Sequence, residues 1–281
     1  MVSKIRTSVL LPASLAIDST DLRQKTLKVG QIGRALAIFC VDKVCIYNDD
    51  DPKVRSQAAE VKVIESLLSY MEAPQYLRKL LFPHTEELSY AGLLYPLRTP
   101  NHPLQDEKDQ PGDYREGVVI EAGKNSILEI GLAEKGVADE RLRLGQRLTV
   151  RLGKRSGNLI SVAPVAWDEV PEYWGYDIVR AKSLSEGLKT VESDYYIGTS
   201  RRGKNLYEAV QAIKSSKPRS VAVAFGGPYA GLLEICKRQG VDVSELFDVI
   251  VNAVPNQGAV TVRTEEALMA TLSLLNALTE G

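Results

Sequence analysis

Phe247–Leu268 reads FDVIVNAVPNQGAVTVRTEEAL, and Val221–Leu232, a little upstream, reads VAVAFGGPYAGL. Each stretch sets a short apolar run directly ahead of a loop built from Gly, Pro, Asn and Gln. Val221–Phe225 and Val249–Val251 show no polar alternation. Runs of that length bounded by turn residues suit strands covered on both faces, as in a parallel sheet. In open parallel sheets ligands bind beyond the carboxyl ends of the strands. Gly226, Gly227, Pro228, Asn252, Pro255, Asn256, Gln257 and Gly258 all fall there, so the pattern points to a ligand site. The rest of the chain reads as its frame.

Working outward, Thr7–Leu11 reads as a strand ended by Pro12, Thr20–Phe39 as a helix, and Val44–Tyr47 as a second strand. A further helix has Ala58, Val61, Ile64, Leu68 and Met71 on one face. This alternation marks an α/β layer structure. From Leu97 the texture changes, and Arg98–Tyr114 reads as a linker rich in Pro, Asn, Asp and Gln. Short strands follow at Gly117–Glu121, Ser126–Ile130, Arg147–Leu152 and Asn158–Val162, with turns at Gly123–Asn125 and Gly153–Gly157. The expected division is therefore a discontinuous α/β domain, residues 1–97 and 166–281. Inserted at 98–165 is a small antiparallel β-barrel, for which an oligonucleotide-binding (OB-like) barrel is the natural expectation at this size. A barrel of purely structural role remains open. After Trp167 the α/β pattern resumes, with Ser183–Glu186 resembling a capping box and Tyr195–Gly198 a strand running into the loop Thr199–Gly203.

Composition narrows the chemistry. The 281 residues include 44% hydrophobic and 25% charged side chains and carry a net charge of −1, ordinary for a globular chain of two domains. No apolar run reaches the length of a membrane span and the N-terminus shows no signal core, so a cytoplasmic protein is expected. The three cysteines (Cys40, Cys45, Cys236) have no metal-like spacing, and His84 and His102 each neighbour a proline. No metal site is expected. The charge distribution says more than its sum. Arg141, Arg143, Arg147, Arg151, Lys154 and Arg155 run without an acid, and Arg201, Arg202, Lys204, Lys214, Lys217 and Arg219 form a second set broken only by Glu208. Two readings stay open here, solvated faces or phosphate-binding surfaces. The loops GTSRRG, FGGPYAG and NAVPNQG match neither a P-loop nor a dinucleotide fingerprint. By spacing alone they could equally be ordinary strand–helix turns.

These segments, together with SVLLPAS (Ser8–Ser14), VGQIGRALAIFCVDKVCIYND (Val29–Asp49) and the stretch from Ala91 to Glu121, resemble one family over nearly the whole chain. It is the archaeal and eukaryotic RNA methyltransferase family of the SPOUT class. The most specific marks are the N-x-x-P-x-Q-G…T-V-R-T-E-E block and the GTSRRG loop. The resemblance implies an α/β parallel-sheet SPOUT-type domain with a C-terminal trefoil knot, an inserted OB-like barrel, S-adenosylmethionine as cofactor, and a homodimer. Carried over by position, Gly198, Thr199, Arg202, Gly226, Gly227, Asn252, Pro255, Gln257, Gly258, Thr261 and Arg263 would line the cofactor pocket. Arg201, where the family varies, departs from the pattern. The expected reaction is methyl transfer to a base or ribose of structured RNA, rRNA or tRNA, with Arg202 the catalytic residue that orients a phosphate or the nucleophile. Arg147, Arg151, Lys154, Arg155, Arg201 and Lys204 would bind RNA. Glu265 and Glu266 are expected to stabilise the start of the last helix. The rival expectation is a non-catalytic RNA-binding or assembly factor that keeps the fold.

Overall fold

The computed structural model describes residues 5–103 and 109–279. Residues 104–108 of the expected linker, and the chain ends 1–4 and 280–281, lie outside the described residues. The first half carries β1 (Arg6–Pro12), α1 (Leu22–Ile38), β2 (Lys43–Tyr47), α2 (Gln57–Glu72) and α3 (Arg78–Leu81). The middle carries β3 (Tyr114–Glu121), β4 (Ser126–Glu129), β5 (Lys135–Ala138), β6 (Arg147–Ser156) and β7 (Leu159–Pro164). There follow β8 (Asp177–Ala181), α4 (Leu184–Val191), β9 (Tyr195–Asn205), α5 (Leu206–Ser216) and β10 (Ser220–Ala224). The chain closes with α6 (Leu232–Arg238), α7 (Val243–Leu246), β11 (Val249–Asn252) and α8 (Thr264–Thr279).

The chain divides into two compact units. The first takes the described residues of Met1–Ser69, Glu87–Tyr95 and Tyr176–Gly281, and the second those of Tyr70–Glu86 and Pro96–Gly175. The change of texture at Leu97 gave no sign that Tyr70–Glu86 belongs with the second unit. The first residues of that segment, Tyr70–Glu72, are the last turn of α2, so no break in the helical pattern marks the division.

In the first unit one sheet has the order β11-β9-β10-β1-β2-β8, and every pairing is parallel. The unbroken apolar runs explain it. Leu10, Cys45, Tyr47, Ala222 and Ala224 meet Leu184 and Leu188 of α4 and Leu232 and Ile235 of α6 in one buried cluster. Side chains of opposite parity, Val9, Leu11, Val44, Ile46, Val221 and Val223, are also buried, so both faces of the sheet are covered. Each fully buried Leu or Ile contributes roughly 1.5–3 kcal/mol. Helix starts follow their caps. Asp21 accepts the Gln24 N–H at 2.8 Å to open α1. At α4 the Ser183 hydroxyl accepts the Glu186 N–H at 3.2 Å, while the Glu186 carboxylate reaches back to the Lys182 N–H at 3.0 Å.

The second unit is built on a closed five-stranded barrel in the order β3-β4-β5-β7-β6. Its pairings are antiparallel except β5 with β7. Alternate residues Val119, Leu128, Ile130, Val150, Leu152, Ile160 and Val162 fill its core. Two details differ from the expectation. Gly153–Ser156 continues β6 rather than turning, with Arg155 and Ser156 paired to Ile160 and Leu159 beyond a bulge. The short strand β5, KGVA, lacked the length and β-branched content to announce itself.

Candidate functional site

Residues 199–202 of β9 and the loops that follow β10 and β11 line an open cavity of about 930 Å³, within the range of small-molecule and cofactor sites. Its first wall corrects one expectation. Thr199–Gly203 is not a loop after a strand but an excursion within β9. Gly198 pairs with Ile250, and the next residue of β11, Val251, pairs with Lys204, so five residues are pushed out of the ladder. The chain re-enters at Gly203, where a Cβ would stand 2.4–2.7 Å from the backbone C, N and O of Val251. Only glycine permits that backbone contact.

The second wall is the loop after β10. A Cβ on Gly226 would meet the Leu232 nitrogen at 2.6 Å, and one on Gly227 the Ser14 hydroxyl at 2.3 Å, so the loop is packed tightly between the start of α6 and the turn that follows β1. The Tyr47 hydroxyl donates to the Phe225 carbonyl at 2.6 Å, and the Ser14 hydroxyl donates to Asp49 at 2.6 Å. Asp49 is fully buried, and that burial raises its pKa against the lowering effect of the Ser14 bonds. The third wall is Asn252–Thr264. Asn252 ties it to the excursion: its amide donates to the Arg201 carbonyl at 3.0 Å and its side-chain oxygen accepts from Val254 N–H at 2.9 Å. Thr199 donates to the Ala224 carbonyl at 2.9 Å and Thr264 to the Gly226 carbonyl at 3.1 Å. The three walls are thus joined to one another.

Of the residues anticipated for the pocket, Thr199, Arg202, Gly226, Gly227, Asn252, Gln257 and Thr261 line the cavity. Gly198, Pro255, Gly258 and Arg263 do not. Gly198 is packed beneath it, where a Cβ would lie 2.4 Å from Ile250 Cδ1. The Arg263 side chain is exposed, and its N–H donates to Glu266 at 2.9 Å as the cap of α8. Glu265 faces Lys28 at 3.3 Å. Glu266 therefore serves the helix start, while Glu265, also in the first turn, pairs with Lys28 of α1. Sequence reasoning missed Tyr229, Glu234, Lys237, Arg238 and Thr271, which also line the cavity. Thr264, Ala267 and Thr271 fall at helical spacing on α8, a signal that could have been read. Thr271 is 1% exposed and its hydroxyl has no hydrogen-bond partner among the described residues. A buried hydroxyl left so costs about 1–3 kcal/mol.

Charge in the cavity is one-sided. Arg201, Arg202, Lys237 and Arg238 line it against a single carboxylate, Glu234. Arg238 is engaged, donating to the Asp49 carbonyl at 2.9 Å and lying 3.8 Å from Asp51. The side chains of Arg202, Lys237 and Glu234 have no ionic or hydrogen-bonded partner among the described residues. Burial pushes Cys45 up to about 12 and Cys236 up to about 11.

Comparison with known proteins gives this arrangement its context. The family described as "Putative RNA methyltransferase" matches residues 6–275. The chain belongs to this RNA methyltransferase family. It is 33% identical over 297 residues to the 28S rRNA (uridine-N(3))-methyltransferase of Homo sapiens, covering 95% of this chain and 77% of the human one. The protein of the same name from Drosophila melanogaster is 31% identical, covering 95% of this chain and 61% of its own. An uncharacterized protein of Haloarcula marismortui is 33% identical across 98% of this chain and 99% of its own. Membership makes the chain an enzyme that methylates RNA.

For an RNA methyltransferase the placement of the expected RNA-binding side chains matters. Arg201 and Lys204 are exposed at the excursion of β9, and Arg151, Lys154 and Arg155 are exposed on the barrel. Arg155 spends part of its charge on Glu134 at 3.3 Å. Arg147 is different. Its guanidinium lies between Glu72, at 2.6 and 3.0 Å, and Glu116, at 2.7 Å. Burial alone would lower its pKa, but Glu72 and then Glu116 outweigh that and raise it. Glu116 also accepts from Thr149 and Trp174, each at 2.6 Å. Arg147 is therefore a strut of the second unit, and the basic stripe begins at Arg151. Among the described residues no group of three or more His, Cys, Asp or Glu is spaced to hold a metal, and no helix is long and apolar enough to cross a membrane.

Proposed function

We propose that the chain transfers a methyl group from S-adenosylmethionine to N3 of a uridine in ribosomal RNA, within the cavity lined by residues 199–202 of β9 and the loops that follow β10 and β11. The observation that carries this reading is the cavity itself. Glycine loops and Thr271, whose buried hydroxyl has no partner among the described residues, line the same cavity, and close-approaching backbone with a few polar groups suits a flat, polar-edged nucleoside. The names of the human and insect relatives supply the target atom.

Thr199, Gly226, Gly227, Asn252, Gln257, Thr261 and Thr271 would hold the cofactor, with Gly198, Pro255, Gly258 and Arg263 shaping the surrounding chain. When bound, S-adenosylmethionine supplies a methyl group already activated as a sulfonium. What remains for the protein is alignment, exclusion of water and one proton. The N3–H of uracil is a weak acid, so a base must take its proton as the nitrogen reacts. Glu234, the one carboxylate on the cavity wall, takes it. Arg202, unpaired at the rim, stabilises the negative charge that spreads onto the uracil oxygens. The Asn252 clasp keeps two of the walls in register.

The finer architecture follows the same reading. A trefoil knot is supported by β11 pairing with β9 both before and after the excursion that Gly203 closes. An OB-type barrel is supported by the strand order and by the single parallel pair, third strand with fifth. A homodimer is supported by exposed apolar side chains on this unit, Val260 at 86%, Tyr207 at 62% and Met269 at 39%. Exposed Arg151, Lys154 and Arg155 on the barrel, with Arg201 and Lys204, would hold the RNA backbone. With ribosomal RNA as substrate, the cytoplasm is the compartment expected.

The test is incubation of the protein with methyl-labelled S-adenosylmethionine and ribosomal RNA from cells lacking it, followed by nucleoside mass spectrometry. Labelled 3-methyluridine is expected, and its loss in Glu234→Gln with cofactor binding retained would assign the base. Label in another nucleoside would overturn the target atom, and no label at all would overturn the activity.

A further inference from the structure

Tyr229 is the feature of the cavity that cofactor binding leaves unused. It sits in the turn after β10, lines the cavity and is 50% exposed. Every other aromatic side chain in the cavity wall is accounted for by Phe225, which is buried. The Lys53 ammonium lies 3.6 Å from the centre of the Tyr229 ring. A cation over one face steadies the ring and leaves the opposite face for another flat group. Lys53 stands in the exposed run Pro52–Lys53, with exposed Arg55 two residues on.

The charge around this ring favours an anionic partner over the cofactor. Arg201, Arg202 and Lys237 outnumber Glu234 in the wall, and Lys53 adds a further cation at the ring. S-adenosylmethionine carries a net positive charge through its sulfonium and ammonium, balanced by one carboxylate. It does not match such a surplus. A nucleotide that has left its stack, with phosphates on both sides of a planar base, matches both the ring and the cations.

We infer that Tyr229 is the stacking platform for the extruded RNA base and that Lys53, resting on the ring, contacts a neighbouring phosphate. This rests on the reading of the cavity as the methyl-transfer site, and it adds where the substrate base lies. It also implies that Tyr229→Phe works as well as the native ring, because stacking needs the π face and not the hydroxyl.

The test uses a short single-stranded RNA carrying one 5-iodouridine, which on long-wavelength irradiation cross-links to aromatic side chains stacked on it. The expected cross-link maps to Tyr229. Tyr229→Ala should abolish it and weaken binding of the oligonucleotide about tenfold, while Tyr229→Phe keeps both. Lys53→Ala should weaken binding about twofold to threefold and flatten its salt dependence. Cross-links confined to other residues, with Tyr229→Ala binding the oligonucleotide as the native protein does, would overturn the inference. So would a Tyr229→Ala defect that appears only in calorimetric binding of S-adenosylhomocysteine, since the ring would then belong to the cofactor. Failure of the native protein to bind S-adenosylhomocysteine, with the cross-link still at Tyr229, would instead overturn the cofactor reading and leave the platform standing.

Discussion

In the second unit the Arg147 guanidinium is enclosed by two carboxylates, Glu72 and Glu116, whose own side chains are 10% and 5% exposed. In the first unit Arg202 stands at the cavity rim, exposed and with no such acid among the described residues. From sequence Arg147 was a candidate for RNA, and Arg202 for the cofactor pocket and catalysis. A half-buried cation held by two buried carboxylates has already given its charge to the fold, because removing it would take a counter-charge from both. An unpaired cation beside a cavity keeps its charge for a ligand. The same comparison separates Glu116, which accepts three donors, from Glu234, which accepts none among the described residues.

The contrast breaks most sharply in stability. Arg147→Ala should lower the unfolding free energy by about 3–5 kcal/mol, measured by urea titration. A loss below about 1 kcal/mol would mean the pair is a surface contact and return Arg147 to the RNA-binding set.

Acid should act on the same cluster. His102 contacts the Glu72 carbonyl at 2.6 Å, with Nε2 the donor, and burial is the main reason its pKa falls to about 4. Between the unfolded value near 6.5 and about 4 the unfolded chain binds the extra proton, so stability is present above that window and lost as pH falls through it. About 3 kcal/mol should disappear across the window. A pH series of urea midpoints on the native protein and His102→Gln checks this, since the variant should lack that component of the slope.

Smaller in stability, but confined to the cavity, is Gly203→Ala. The new methyl would press on Val251 backbone, which cannot rotate away, and should cost about 1–3 kcal/mol. Cofactor affinity should fall with it, because the excursion that carries Thr199 and Arg202 must shift. Unchanged binding of S-adenosylhomocysteine would show that the excursion is not part of the site. The smallest effect on the fold belongs to Arg202→Ala, within about 0.5 kcal/mol of the native protein. Its methylation rate should nonetheless drop by about 100-fold, in single-turnover assays with saturating cofactor.

Much of this was legible in the chain. The runs Val221–Phe225 and Val249–Val251 announced buried parallel strands because no polar residue interrupts them, and the turn residues behind them marked the end of the sheet where the cavity opens. What stayed hidden depends on distance and register. The partner of Arg147 lies 75 residues away at Glu72, and no local pattern couples the two. Thr199–Gly203 looked like a loop because its residues are loop-formers, yet pairing resumes at Lys204 through a glycine that admits the Val251 backbone. Glu234 and Thr271 carry no motif, and only the closing of α6 and α8 around the cavity brings them to its wall.

The central claim is that the joined walls of this cavity hold the methyl donor. Calorimetric titration of S-adenosylhomocysteine into the native protein and Asn252→Ala tests it most directly. The account predicts one site per chain in the native protein and an affinity lowered about tenfold or more in the variant, because the Asn252 side chain clasps two walls. Absence of binding at millimolar ligand to the folded native protein, or equal binding by both, would contradict it.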